Sequence, residues 1–140
     1  MNTILIVDDE VSVRKTLSDI LAYYGYKALA VDCGQKAIKL IKKEIPDLVL
    51  LDIMLEDISG IDVLREIKKE EEYTEFIILT GNVSQEAVVK AINLGAYGYI
   101  QKPYDIEQLL IMIKRAIEKQ NTRKELFESE KRYQHFLIMQ

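Results

Sequence analysis

Four charged side chains and one hydroxyl stand where chemistry could be done in this chain: Asp8 with its neighbour Asp9, Asp52, Thr80 and Lys102. Each lies at or just past the end of a short apolar run, namely TILIV at 3–7, DLVLLD at 47–52, EFIILT at 75–80 and YGYIQ at 97–101, with Glu10 extending the first acidic group. Carboxylates crowded into a small volume repel one another, and a fold relieves that by raising their pKa values or by holding a cation. Oxygen ligands that leave room for water and phosphate suit Mg2+, with Mn2+ as the alternative, and no Cys/His cluster is available for zinc. A lysine ammonium and a threonine hydroxyl facing the same pocket would complete a site for a tetrahedral dianion. There an aspartate can attack phosphorus in line and form an acyl phosphate, and Asp52 is the best placed to do so. Any one of these residues alone reads as an ordinary strand-end loop residue; several at matching ends do not.

The elements that must position them follow from the apolar pattern. A fifth run, KALAV at 27–31, joins the other four, and each run precedes a helix-length segment. Helical i, i+3, i+4 spacing is clear in Val13, Leu17, Ile20, Leu21 and Tyr24, in Ala37, Ile38 and Ile41, in Leu64 and Ile67, in Val88, Ala91 and Ile92, and in Ile106, Leu109, Leu110, Ile113 and Ile117. Gly25 follows the first stripe, Pro46 stops the second, Ser84 is set to cap the fourth and Gly95 to end it. Continuous apolar runs such as LVLL and FIIL demand a sheet covered on both faces, and strict strand-helix alternation demands right-handed parallel crossovers. The fold class is a doubly wound α/β sandwich of five strands and five helices, whose ligands sit beyond the carboxyl ends of the strands.

Composition narrows the function further. With 140 residues, 49% of them hydrophobic, the chain has room for one well-cored domain and a short appendage. A formal net charge of -4 provides no basic field for a nucleic-acid backbone, so direct nucleic-acid binding is not expected. Cys33 is the only cysteine, as in chains folded in a reducing compartment. Acidic residues follow the first four apolar ones, so the start does not read as a secretory signal, and no run reaches the roughly 20 apolar residues of a membrane span. A cytoplasmic protein with no membrane partner is expected.

The segments LIVDDE, LVLLDIML, FIILTG and YGYIQKP resemble the receiver domains of two-component response regulators from about residue 3 to residue 120. That resemblance implies a flavodoxin-like sheet with strand order 2-1-3-4-5. It makes Asp52 the phosphoacceptor, Asp9 a direct metal ligand, Asp8 a pocket acid acting through water, and the Met54 carbonyl a further ligand. It makes Thr80 the switch hydroxyl, Lys102 the phosphate-binding lysine, Pro103 the site of a cis peptide and Tyr99 the switch aromatic, although a tyrosine there also fits a plain core position. The implied donor is a histidine kinase or phosphotransfer protein. The domain would be no enzyme beyond catalysing its own phosphorylation and slow dephosphorylation, with the surface of the fourth helix, fifth strand and fifth helix remodelled as output. In similar proteins the residues at Met54 and Asn82 set how readily water reaches the acyl phosphate, and Met54, with no polar group to orient water, implies a long-lived phosphorylated state.

Beyond Ile117 the stripe lapses through EKQNTRKE and resumes at Leu126, Phe127, Tyr133, Phe136 and Leu137 without Gly or Pro. The fifth helix is therefore expected to run on as a linker over residues 121–140, finding a partner in a homodimer or a following domain. FESEKRYQHFLIMQ also resembles the helical lead-in to a PAS sensory domain, whereas His135 lacks the acidic neighbour of a kinase phosphoacceptor. Two alternatives stay open: a pseudo-receiver that keeps the fold without phosphotransfer, and a phosphatase with an aspartate nucleophile, which commonly carries a second aspartate where this chain has Met54.

Overall fold

A computed structural model of the chain describes residues 1–71, 73–81 and 84–138. Strands β1 (Thr3–Val7), β2 (Lys27–Val31), β3 (Leu48–Leu51), β4 (Glu75–Thr80) and β5 (Gly98–Gln101) alternate with helices α1 (Val11–Tyr23), α2 (Gly34–Glu44), α3 (Gly60–Lys68), α4 (Gln85–Asn93) and α5 (Ile106–Ile138). All strand pairs are parallel and their order is β2-β1-β3-β4-β5, the doubly wound, flavodoxin-like arrangement.

Period-two alternation divides the sheet between two cores. Leu5, Val7, Val49, Leu51, Phe76 and Ile78 face Ala37, Ile41, Leu64, Ile67 and Ala91 of α2, α3 and α4. Ile4, Ile6, Leu48, Leu50, Ile77 and Leu79 face Leu17, Leu21, Leu109, Ile113 and Ala116 of α1 and α5. Because β3 and β4 are buried on both sides, their runs are uninterruptedly apolar up to Thr80, apart from Glu75.

The termini of the helices explain where the chain turns. Ser59 and Ser84 cap α3 and α4 by accepting N–H bonds from Ile61 and Ala87. Gly25 and Gly95 leave α1 and α4 at φ 89° and 106°, a region costly for side chains other than glycine. Pro46 disfavours right-handed helix at Ile45, which closes α2 in the left-handed region at φ 46°.

Two positions in the apolar stripes come out differently from the sequence expectation. Tyr24 lies past the end of α1 and is 57% exposed, and Ile92 turns outward because α4 buries Ala91 and packs Ala87 and Leu94 instead. Helix α5 runs without a break for 33 residues, about 50 Å at 1.5 Å per residue, and only its first half is buried.

Candidate functional site

The strand order reverses between β1 and β3, and their carboxyl ends are level: Val7 is in register with Leu51, and the Asp52 N–H donates to the Val7 carbonyl at 3.0 Å. Asp8 and Asp52 therefore emerge side by side at the switch point, where ligands of such sheets bind. Carboxylate oxygens of Asp8, Asp9 and Asp52 all fall within 4.8 Å of one another, with Asp8 and Asp52 buried and Asp9 exposed. Strand β5 brings in the cation. The Lys102 N–H donates to the Thr80 carbonyl at 2.9 Å, and the Lys102 ammonium bridges Asp8 Oδ2 at 2.7 Å and Asp52 Oδ2 at 3.3 Å.

The remaining oxygens of the two buried acids are held by backbone. Asp8 Oδ1 accepts from the Glu10 N–H at 2.9 Å, and Asp52 Oδ1 accepts from the Met54 N–H at 3.0 Å. Arg14, in the first turn of α1, donates to the Asp8 carbonyl at 2.7 Å and ties the acidic loop to the helix. Gly60 presses against the carbonyl of Asp52 so closely that any Cβ would collide with backbone.

Burial pushes the Asp52 pKa up and the Asp8 charge adds to that, against the Met54 N–H and Lys102, which favour the carboxylate. Burial would lower the Lys102 pKa, but its hydrogen bond to Asp8 and the charges of Asp52 and Asp8 outweigh it and the net shift is upward. One ammonium thus faces three carboxylates, an excess of negative charge composed entirely of hard oxygen donors, which fits a magnesium-sized ion. Thr80, fully buried at the end of β4, has a hydroxyl with no hydrogen-bond partner among the described residues, a costly state that an incoming acceptor would relieve.

The peptide before Pro103 is cis. Tyr99 is 46% exposed on the edge strand β5, which removes the plain core reading of this residue. The Met54 side chain is exposed, whereas Asn82 lies outside the described residues. Sequence reasoning missed Arg14, Asp57 and Gly60. For Gly60 a signal existed, since Ser59 followed by glycine directly before the stripe of α3 marks a helix start.

The fold and site define a doubly wound α/β domain with an acidic pocket at its switch point, and comparison with known proteins supplies the family. Residues 4–114 match the family described as "Response regulator receiver domain". The regulatory protein AtoC of Escherichia coli is 36% identical over 126 residues, which cover 90% of this chain and 27% of that protein. The response regulator SaeR of Staphylococcus aureus is 34% identical over 113 residues, 81% of this chain and 49% of that protein. A CheY-like response regulator receiver domain from Methanospirillum hungatei superposes with a TM-score of 0.85 at 32% identity, over 88% of this chain and 98% of that one. The chain belongs to the response regulator receiver domain family. It spans about a quarter of AtoC and about half of SaeR. Receiver domains bind Mg2+ through an acidic pocket, here represented by Asp8, Asp9 and Asp52, and response regulators are phosphorylated by histidine kinases. Among the described residues no helix is long and apolar enough to cross a membrane.

Proposed function

We propose that this domain is a Mg2+-dependent phosphoacceptor, esterified on Asp52 by a histidine kinase or phosphotransfer protein in the cytoplasm. The observation that carries the reading is the Lys102 ammonium seated between Asp8 and Asp52, at 2.7 and 3.3 Å, in a pocket that still holds surplus negative charge. Asp8, Asp9, Asp52 and the Met54 carbonyl would hold the metal. Its charge would screen the approach of an anionic phosphoryl group to Asp52 and stabilise the equatorial oxygens.

The chain's own groups supply the rest. The Met54 N–H fixes one Asp52 oxygen and so orients the other for in-line attack. Lys102, already in the pocket, is free to trade a carboxylate contact for a phosphoryl oxygen. The unpartnered Thr80 hydroxyl supplies a donor to the same group, and its inward movement makes room for the exposed Tyr99 to turn in, remodelling the α4, β5 and α5 surface. Turnover stops at one phosphoryl group and its slow hydrolysis.

Residues 1–120 form the receiver and residues 121–140, of which 139 and 140 lie outside the described residues, a linker that is helical through Ile138 and leads into a PAS sensory domain. The linker also pairs two copies of the chain: Leu126, Tyr133 and Phe136 project at seven- and three-residue spacing and are 61, 63 and 58% exposed. Sedimentation should give a concentration-dependent dimer that Leu126→Glu with Tyr133→Glu converts to monomer; a wild-type monomer at every concentration would reject the pairing.

Incubation with acetyl phosphate and MgCl2 tests the central claim. Intact mass should rise by one phosphoryl group in the wild type, and not with EDTA or in Asp52→Asn. Absence of label in the wild type would favour a pseudo-receiver, and repeated hydrolysis of small phosphate esters would favour an aspartate-nucleophile phosphatase.

A further inference from the structure

Helix α2 begins at Gly34 without help from its own N-cap residue, because Cys33 makes no side-chain cap bond. The exposed N–H groups at a helix start need acceptors. Here they come from the β3–α3 loop: Asp57 Oδ1 accepts from Gly34 N at 2.9 Å and Asp57 Oδ2 from Gln35 N at 2.8 Å. Next to that carboxylate Ile58 lies so tightly on Gly34 that a Cβ there would collide with it. The outer end of the loop is thus fastened to α2 by a two-oxygen clamp and a close apolar contact.

The inner end of the same loop lies in the acidic pocket. Met54 donates its N–H to Asp52, while the Leu55 and Gly60 N–H groups close back on the Ile53 carbonyl at 3.2 and 2.9 Å. Between the carboxylate that would be phosphorylated and the one that grips α2 there are only four residues, so freedom at Asp57 is freedom at Met54.

Resting on the metal-binding reading above, we propose that Asp57 is a positioning residue: by clamping the β3–α3 loop to the start of α2, it holds the Met54 peptide where it orients Asp52 and offers its carbonyl to the metal. A purely structural role would make Asp57 no more than a remote cap for α2, felt in stability alone.

The experiment uses the full 140-residue chain. Mg2+ affinity is measured by calorimetric titration and amide hydrogen exchange is followed at Met54, in wild type, Asp57→Ala, Asp57→Asn and Lys39→Gly. Lys39 is an exposed residue inside α2, and glycine there weakens the helix without touching the loop. Asp57→Ala should weaken Mg2+ binding about tenfold, the low end of what removing an outer partner of a metal ligand costs, and speed exchange at Met54. Asp57→Asn, which keeps one side-chain oxygen as acceptor, should fall between. Lys39→Gly should lower the melting temperature and leave both readouts unchanged. Equal Mg2+ affinity and Met54 protection in Asp57→Ala and wild type, or equal losses in Lys39→Gly, would overturn the positioning role. A wild-type chain that binds no Mg2+ would remove the metal reading itself, and the proposal with it.

Discussion

Charge is buried at both ends of this sheet, on opposite terms. At the carboxyl edge three carboxylates cluster and one ammonium, Lys102, pairs with two of them, Asp8 and Asp52. At the amino edge Glu75, fully buried at the start of β4, meets Arg123 at 3.0 Å. Beside that pair, Asp47 accepts from the Thr3 N–H at 2.8 Å, and buried Gln120 donates to the carbonyl and carboxylate of Asp47 at 3.3 Å. The guanidinium of Arg123 also lies 5.5 Å from the centre of the Tyr73 ring, which in turn packs on Phe127. The same residue types therefore do two jobs. Where the Glu75 carboxylate meets its counter-charge it fastens α5 to the floor of the sheet, and where negative charge is in excess the carboxylates fit a cation.

The matched end gives the largest expected effect. Arg123→Ala leaves the Glu75 carboxylate buried without its counter-charge, a change that costs about 3 kcal/mol at such sites. One oxygen of Glu75 already lacks a hydrogen-bond partner among the described residues, so the carboxylate has little in reserve. Denaturant unfolding should show this loss while phosphorylation of Asp52 below the melting temperature keeps its wild-type rate. A stability change under 1 kcal/mol, or a lost phosphorylation rate, would mean that the two ends do not divide the work as described.

Adding magnesium should act on the other end alone, and in the opposite direction. At ten times its Kd, a ligand that binds only the folded chain adds roughly 1.4 kcal/mol, about 4 °C in melting temperature at this size. The pH dependence follows from the two shifted groups. Asp52 is raised above its ordinary 3.8, so between that value and its folded pKa the native chain holds more protons, and stability falls as pH rises. Above its folded pKa Asp52 is charged and this penalty is complete, and a bound cation would offset it. Lys102 is raised above 10.5, so its contribution is whole below that value and is lost as pH climbs through its folded pKa. Melting curves against pH should show Asp52→Asn removing the acid-side decline in metal-free protein, and Asp9→Asn blunting the magnesium response. A magnesium response that survives in Asp9→Asn and Asp52→Asn together would place the cation elsewhere.

The contrast also separates what could be read in the sequence from what could not. Asp8, Asp52, Thr80 and Lys102 were legible because each ends a run such as LVLL or FIIL whose burial leaves no doubt about the strand, and strand ends of a doubly wound sheet converge by topology. The floor was not legible. Glu75 opens a strand, where an acid normally meets water, and its partner Arg123 lies 48 residues on in a stretch of alternating charge that reads as a solvated helix face. Asp57 was hidden for the same reason, since the N–H groups it accepts belong to a helix 22 and 23 residues earlier and no period or spacing connects them. Tyr24 and Ile92 failed differently: both keep helical spacing, but α1 ends before Tyr24, and α4 buries Ala91 and packs Ala87 against the core, which leaves Ile92 to solvent. Pairings between distant segments are set by packing, and spacing along the chain carries no trace of them.

The smallest effect expected concerns the phosphoryl lifetime, and it tests how water reaches the carboxyl edge. Met54 points an exposed thioether, with no strong donor or acceptor, from the loop that holds Asp52, so it offers an attacking water no orientation. Met54→Asn leaves the backbone N–H and carbonyl in place and introduces an amide able to hold such a water. Decay of phospho-Asp52, followed by intact mass after removal of acetyl phosphate, should become faster by at most about tenfold, equivalent to 1.4 kcal/mol in the barrier. Stability should move by less than about 0.5 kcal/mol, as for an exposed side chain without special contacts. Unchanged or slower decay would show that water reaches the acyl phosphate by a route this side chain does not control.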